Sequence, residues 1–299
     1  MKILVTGSTG FIGSALAPSL LEGGHTAIGL RRAGQSGDLS APNWNPATGG
    51  IDSTSLDRAD AIVHLAGENI GAKRWTAARK KMIYDSRVEP TRAMCGALAK
   101  MDNPPGVLVV ASAIGYYGDR GDEWLDESAA AGTGFLAEVV KAWEIAADPA
   151  REAGIRVVNL RFGVILSPQG GALQRMLLPF KMGVGGTIGS GKQYWSWVTL
   201  DDVVGAIGHA LANHSLTGPV NAVAPDPVTN REFTRMLAHV LSRPAIFPLP
   251  AFMARLILGE MANELLLSSA RVRPAKLVAS SYQFRYPELE TGLRHLLGR

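Results

Sequence analysis

The chain has 299 residues, 46% of them hydrophobic, and its 30 Lys and Arg outweigh 26 Asp and Glu to leave a net charge of +4. That mass supports one large core or two smaller ones, and a mild basic excess with no long single-sign block does not imply a nucleic-acid partner. One cysteine, Cys95, rules out a disulfide framework within the chain; the six histidines (25, 64, 209, 214, 239 and 295) fall at no metal-ligand spacing; and the longest uncharged run, Val203 to Pro225, holds two His, two Asn and a Gly-Pro, which reads as no membrane span.

The opening MKILVTG is a short apolar run ending at a glycine. It reads as a buried strand beginning at residue 2, which leaves no room for a leader and points to the cytoplasm. FIGSALAPSLLEGG follows at helical spacing, so Gly7, Gly10 and Gly13 sit at a strand-to-helix turn, with Thr9, Phe11 and Ile12 between and beside them. Glycines placed this way suit a phosphate. The first takes the turn, the second admits close backbone approach, and the third lets helix and strand pack. The helix N-terminus then aims unpaired N–H groups at the anion. The second strand, HTAIGLRR, ends in Arg31 and Arg32 where a nucleotide site usually carries Asp or Glu. A guanidinium suits a 2′-phosphate and cannot accept a ribose proton, which indicates NADP(H) rather than NAD.

ADAIVHLAG reads as a strand ending at Leu65, Ala66 and Gly67, so Glu68 and Asn69 should face the cleft. Lys73 and Arg74 open the densest basic stretch, either a solvated helix face or an attractor for phosphates. A long helix is expected over roughly 76–100, interrupted near Pro90. GVLVVASA is a further buried strand, and the acidic run Asp119 to Glu127 reads as a solvated loop. GFLAEVVKAWEIAA is an amphipathic helix with Leu136, Val139, Val140 and Trp143 on one side, and GIRVVNLRFGVIL reads as one strand. The alternation predicts an α/β fold, a Rossmann-type doubly wound parallel sheet with a small C-terminal substrate lobe. The expected division is 1–166 for the nucleotide domain and 167–299 for a mixed lobe interleaved with the sheet. In that lobe YWSWVTLDD should be a strand running into a helix capped by Asp201 or Asp202, with Trp195 and Trp197 on one face. Another helix should start at Thr229 or Asn230, and short helices should follow.

Several stretches together resemble a known group. TGSTGFIG, HLAG and the YG at Tyr117-Gly118 look like an extended short-chain dehydrogenase/reductase of the sugar-nucleotide epimerase type. VHLAGENI, GYYG, LRFGVILS, GSGKQYWSWVTLDDVV and NAVAPDPVTN resemble one atypical subgroup, the "epimerase family proteins", some of which carry an older label as cell-division inhibitors. The resemblance spans essentially the whole chain. It implies NADP(H) on the Gly7–Gly13 loop, with Arg31 and Arg32 at the 2′-phosphate and Leu65, Ala66 and Gly67 along the nucleotide. It also implies Arg87 and Ser112 as further contacts, and Arg161 and Phe162 beside the nicotinamide.

The superfamily's usual chemistry needs a Tyr and a Lys four apart on one helix. No Tyr-x-x-x-Lys occurs in the chain; at the expected helix Lys141 is present, but Ala137 precedes it by four. Ser112, Tyr116 and Tyr117 are the remaining catalytic candidates, each with an alternative as a packed or strand-end group. Glu68 is a carboxylate able to act as acid or base, Lys141 and Glu144 read as a surface pair, and Trp195 and Trp197 wall the pocket or pack. Two functions fit: an NADP(H)-dependent oxidoreductase or epimerase acting on a small or nucleotide-linked substrate, or a non-catalytic protein that senses NADP(H) redox state. Substrate and oligomeric state are not encoded in any motif.

Overall fold

The computed structural model describes residues 1–32, 43–47, 50 and 59–299, and of Arg32 and Asn43 the main chain alone. Its centre is a seven-stranded, all-parallel sheet of β1 (Lys2–Thr6), β2 (Thr26–Arg32), β3 (Asn43–Trp44), β4 (Ala61–His64), β5 (Val107–Ala113), β7 (Arg156–Phe162) and β11 (Gly218–Ala222). The order is β3-β2-β1-β4-β5-β7-β11. The chain steps outward from β1 through β2 to β3, then returns to the other side of β1 with β4. That reversal opens a crevice at the carboxyl ends of the strands. Ile3, Leu4, Val5, Ile62, Val63, Leu108 and Val109 are fully buried, as continuous apolar strands covered on both faces must be. The packed helices are α1 (Phe11–Glu22), α2 (Ala77–Leu98), α3 (Phe135–Ile145), α4 (Asp148–Glu152), α5 (Gly171–Lys181) and α6 (Leu200–Ala212). α1 packs on α6, while α2 packs on α3 and α4.

Local outcomes differ from the sequence pattern at five places. First, α2 is continuous for 22 residues with Pro90 buried inside it. The proline forfeits one backbone bond, a loss that a helix this long, capped by Thr76, absorbs. Second, GIRVVNLRFGVIL is two strands. A Cβ on Gly163 would lie 2.4 Å from the Ser196 carbonyl, and there the chain leaves the sheet as β8 (Val164–Ser167) to pair with β10 (Trp197–Thr199). Third, the tryptophans fall on separate strands, Trp195 on β9 (Tyr194–Trp195) and Trp197 on β10, and β9 pairs antiparallel with β12 (Val228–Thr229). Fourth, α6 is capped by Thr199, not by Asp201 or Asp202. Asp202 is buried instead, accepting the Arg285 and Tyr286 amides at 2.7 and 3.1 Å and so tying down the tail. Fifth, the acidic run is a strap. β6 (Trp124–Leu125) pairs with β13 (Arg271–Val272), Asp126 meets Arg273 at 2.6 Å, and Glu127 accepts the Asn221 and Lys276 amides.

The rest of the second half is helical: α7 (Asn230–Leu241), α8 (Ala251–Leu258), α9 (Glu260–Ala262) running into a π turn, α10 (Ala275–Ala279) and α11 (Leu289–Leu297). α7 starts where the sequence placed it, in a Thr229/Glu232 capping box. Phe180, Trp197, Phe233 and Leu293 form a second core here, and β11, from the second half of the chain, edges the main sheet. Cys95 is buried, and burial pushes its thiol up to about 12, out of reach of thiolate chemistry at neutral pH. Among the described residues no helix is long and apolar enough to cross a membrane, and no His, Cys, Asp and Glu cluster could hold a metal ion.

Candidate functional site

The glycine loop fits together through close backbone approach. Gly7 has φ +68, and a Cβ on it would lie 3.0 Å from the Leu65 carbonyl carbon and the Ala66 nitrogen at the end of β4. The Gly10 amide donates to the Gly7 carbonyl at 2.9 Å and opens α1. A Cβ on Gly13 would lie 2.2 Å from that same carbonyl oxygen, so only glycine lets the first turn of α1 sit against β1. The first amides of α1 have no partner within the helix, which makes this turn an anion site.

A buried chain of hydrogen bonds fixes the end of β4. Thr91 Oγ1 donates to the Arg87 carbonyl at 2.6 Å and accepts from Trp143 Nε1 at 3.0 Å. Its remaining lone pair therefore accepts from His64 Nε2 at 3.1 Å, which makes Nδ1 an acceptor for Thr6 Oγ1 at 2.7 Å. Thr6 Oγ1 is left to accept the Leu65 and Ala66 amides at 3.2 and 3.3 Å. Acceptance at Nδ1 requires a neutral imidazole, and burial lowers His64 from 6.5 to about 4. The unfolded chain thus binds more protons between these values. Stability is complete above pH 6.5 and falls as the pH drops toward 4, by about 3 kcal/mol in total. Urea unfolding at pH 7 and pH 4.5 should show this loss, and His64→Gln should remove most of the difference. An unchanged pH dependence in the variant would show that another group is responsible.

Above this frame lies a continuous cleft of about 2530 Å³. A site for one small molecule is typically about 300–1,000 Å³, so there is room for a dinucleotide and a second molecule. Gly7, Thr9, Gly10, Phe11, Ile12, Gly13, Arg31, Leu65, Ala66, Gly67, Arg87, Ser112 and Phe162 all lie on its wall, as do Glu68, Asn69 and Trp195. The Arg32 side chain lies outside the described residues. The Arg87 guanidinium donates to the Glu68 carbonyl at 2.8 Å and stacks over Trp143; burial lowers it to about 10, so it stays charged at neutral pH. Glu68 is held by Arg79 at 2.9 Å, a partner the sequence did not suggest.

The other candidates lie off the wall. Lys73 and Arg74 are exposed, and Arg74 turns away to the Leu256 carbonyl. Trp197 is fully buried and donates to the Asp226 carbonyl at 3.0 Å. Tyr117 is fully buried, with its hydroxyl within 2.8–3.0 Å of Asn221 Oδ1, the Asp126 carbonyl and Arg161 Nη1. Burial pushes it up to about 12, so it offers the cleft no proton. Tyr116 packs edge-on against Tyr117 and lies under the Arg161 guanidinium at 3.5 Å. Arg161, expected beside the nicotinamide, is drawn beneath the wall by Glu144, with Nε and Nη2 each 2.8 Å from its carboxylate. Burial works against the charge of Arg161, but the Glu144 contacts outweigh it and raise the guanidinium above its ordinary value.

Glu144 is therefore no surface partner of Lys141. It also accepts from Ser112 Oγ at 2.6 Å, which leaves that oxygen an acceptor. The register of α3 also changes the catalytic comparison. Ala137 is buried and Lys141 exposed, while two apolar pairs four apart line the cleft wall, Leu136 with Val140 and Val139 with Trp143. Glu264 is a further wall residue that sequence reasoning missed. It comes from the π turn after α9, and its two oxygens each accept an amide at the start of α3, from Phe135 and Leu136, at 3.3 Å. No spacing signal marks it, because its partner helix lies some 130 residues earlier.

Comparison with known proteins places these features in context. The model of the NAD dependent epimerase/dehydratase family matches residues 3–223, and that of a domain of unknown function matches 249–296. The chain is 41% identical over 297 residues to epimerase family protein Mb2239 of Mycobacterium bovis, covering 99% of this chain and 98% of that protein. It is 35% identical over 301 residues to epimerase family protein YfhF of Bacillus subtilis, covering 99% and 98%. The crystal structure of human epimerase family protein SDR39U1 (isoform 2) with NADPH superposes with a TM-score of 0.89 at 34% identity, covering all of both chains.

Proposed function

The chain belongs to the NAD dependent epimerase/dehydratase family, and from that premise we propose that its cleft binds NADP(H) and presents it to a second, carbonyl- or hydroxyl-bearing molecule. One observation carries the reading: the glycine loop, the open first turn of α1 and Arg31 lie on the same wall of a cleft large enough for two ligands. The pyrophosphate suits the α1 turn, and the 2′-phosphate suits Arg31, where a carboxylate would select NAD. The human relative that superposes so well was crystallised with NADPH. When bound, the dinucleotide supplies or takes the hydride. Ser112, its proton held by Glu144, accepts from a substrate hydroxyl and orients it. Leu136 and Val140 keep water from that face.

The same two residues favour a second reading, in which the chain binds the dinucleotide without turnover, because they stand on the cleft face of α3 where a proton-transferring pair would sit. A single-turnover experiment separates the two: stoichiometric NADPH with pools of carbonyl compounds, followed by nicotinamide absorbance. Oxidation by any pool establishes hydride transfer. Tight NADPH binding with no oxidation moves the weight to the sensing role. The 2′-phosphate assignment has its own test. Arg31→Ala combined with Arg32→Ala should weaken NADPH about ten- to hundred-fold, the worth of a charge-assisted hydrogen bond, and leave NADH nearly unchanged. Equal loss for both dinucleotides would sink it.

A further inference from the structure

Beyond Ser112 the cleft changes character. Its floor is Leu136, Met261 and Leu265, members of one apolar cluster. Its rim is Val184, Phe247 and Met253, which are 48%, 57% and 41% exposed and so present apolar surface to solvent at the mouth. An exposed apolar rim continuous with an apolar floor marks a ligand-binding groove.

The charges point the same way. Among the described residues the wall carries three cations, Arg31, Arg87 and Arg175, and no lysine. Arg31 belongs to the dinucleotide end. Arg87 donates to the Ile83 and Glu68 carbonyls. Arg175 stands against Gly71, beside Ile70, which packs on that floor, so it is the one wall cation near the far compartment. Against that single guanidinium the far compartment sets two carboxylates. Asp119 accepts the Ser269 amide at 3.0 Å, and Glu264 fills the N-terminus of α3. Phosphates are recognised by guanidinium forks, ammonium groups or open helix N-termini. Here the helix N-terminus is already neutralised by the chain's own carboxylate, and a diphosphate would face two carboxylates with one guanidinium to offset them.

We propose that the second molecule is a lipophilic, phosphate-free carbonyl compound, or its alcohol, rather than a nucleoside diphosphate sugar. The inference rests on the dinucleotide reading above. Its chain lies on the Leu136, Met261 and Leu265 floor and leaves past Phe247, and the hydroxyl of the alcohol form donates to Ser112 Oγ. In the reducing direction the hydride of NADPH adds to the carbonyl carbon, the π pair moves to oxygen, and that oxygen takes a proton from a water entering by the open mouth rather than past Leu136 and Val140, leaving the alcohol, NADP⁺ and hydroxide.

The test uses the full chain saturated with NADPH and titrated calorimetrically with 2-alkanols from 2-hexanol to 2-dodecanol, which cannot react in that complex, and with UDP and UDP-glucose. Affinity should tighten about three- to four-fold per added methylene until the floor is covered, and neither uridine nucleotide should bind up to millimolar concentration. Phe247→Glu, at an exposed rim position that does not threaten the fold, should weaken 2-dodecanol about ten-fold or more. A flat response to chain length, or UDP-glucose binding more tightly than every alkanol, overturns the substrate assignment alone. Failure to bind NADPH in the preceding titration overturns the dinucleotide reading and the substrate assignment with it.

Discussion

Glu144→Leu should destabilise the protein by about 3–5 kcal/mol, the usual cost of leaving one member of a buried ion pair without its partner. The side chains of Arg161 and Glu144 are only 3% and 12% exposed, and two nitrogens of the guanidinium lie 2.8 Å from the carboxylate. Without Glu144 the guanidinium keeps its charge beneath the cleft wall, stacked on Tyr116 and bonded to one phenol oxygen. Desolvation is then uncompensated. Adding Arg161→Met should restore most of the loss, since the charge leaves together with its partner. Urea unfolding of the two singles and the double at pH 7 gives the coupling energy. A single-variant cost below about 1 kcal/mol would mean that water reaches Arg161 and the pair is not a structural clamp. Ser112 loses its acceptor in the same variant and becomes free to donate into the cleft, so any hydride transfer should respond through Ser112 as well.

Gly13→Val should abolish dinucleotide binding, with the affinity for NADPH falling at least about 100-fold, or close to 3 kcal/mol. The cause is steric. The added Cβ would lie 2.2 Å from the Gly7 carbonyl oxygen and 2.7 Å from the Ser8 Cα, and main chain on both sides cannot swing aside as a flexible side chain would. Either α1 tilts away from β1, or the loop that should cradle the pyrophosphate opens. Circular dichroism with NADPH titration distinguishes a local displacement from a lost fold. An unchanged dissociation constant in a folded variant would remove the loop from the site. By contrast, a Cβ on Gly10 would meet only the Gly7 oxygen at 3.1 Å, so Gly10→Ala should be far milder on folding and act on ligand approach.

The sequence is a good guide where one local rule acts. Continuous apolar runs find the strands, glycine spacing finds the loop, and the Thr229/Glu232 box finds the start of α7. It misleads where a distant partner decides. Lys141 and Glu144 lie three apart on one helix and invite pairing, but Glu144 faces β7 and finds Arg161. The tyrosines at 116 and 117 follow a strand end, as catalytic groups do, but Arg161 and Asn221 draw the second into the interior and the first packs against it. Asp202 looks like a helix cap, yet Thr199 caps and the carboxylate is left to hold residues more than eighty positions later. In each case the sequence supplies the correct chemistry with the wrong partner. The glycine-loop end of the cleft is readable because a glycine loop is a local device. The far compartment is assembled from the π turn, the rim loops and α3, and no single stretch describes it.

The strap between β6 and β13 has a consequence in time. Leu125 pairs with Val272, so a strand made early waits for one made near the end of synthesis. The sheet itself stays short of its β11 edge until residues 218–222 are available. At ordinary elongation rates of about 5–20 residues per second, β6 has no partner for roughly 7–30 s on the ribosome. During that interval the glycine loop and its neighbouring strands can already pair, because β1, β2 and β4 lie within the first 64 residues. The nascent chain therefore has its glycine loop long before the far compartment of the cleft can form, and a dinucleotide captured at that stage would act as a template on which the remaining chain closes.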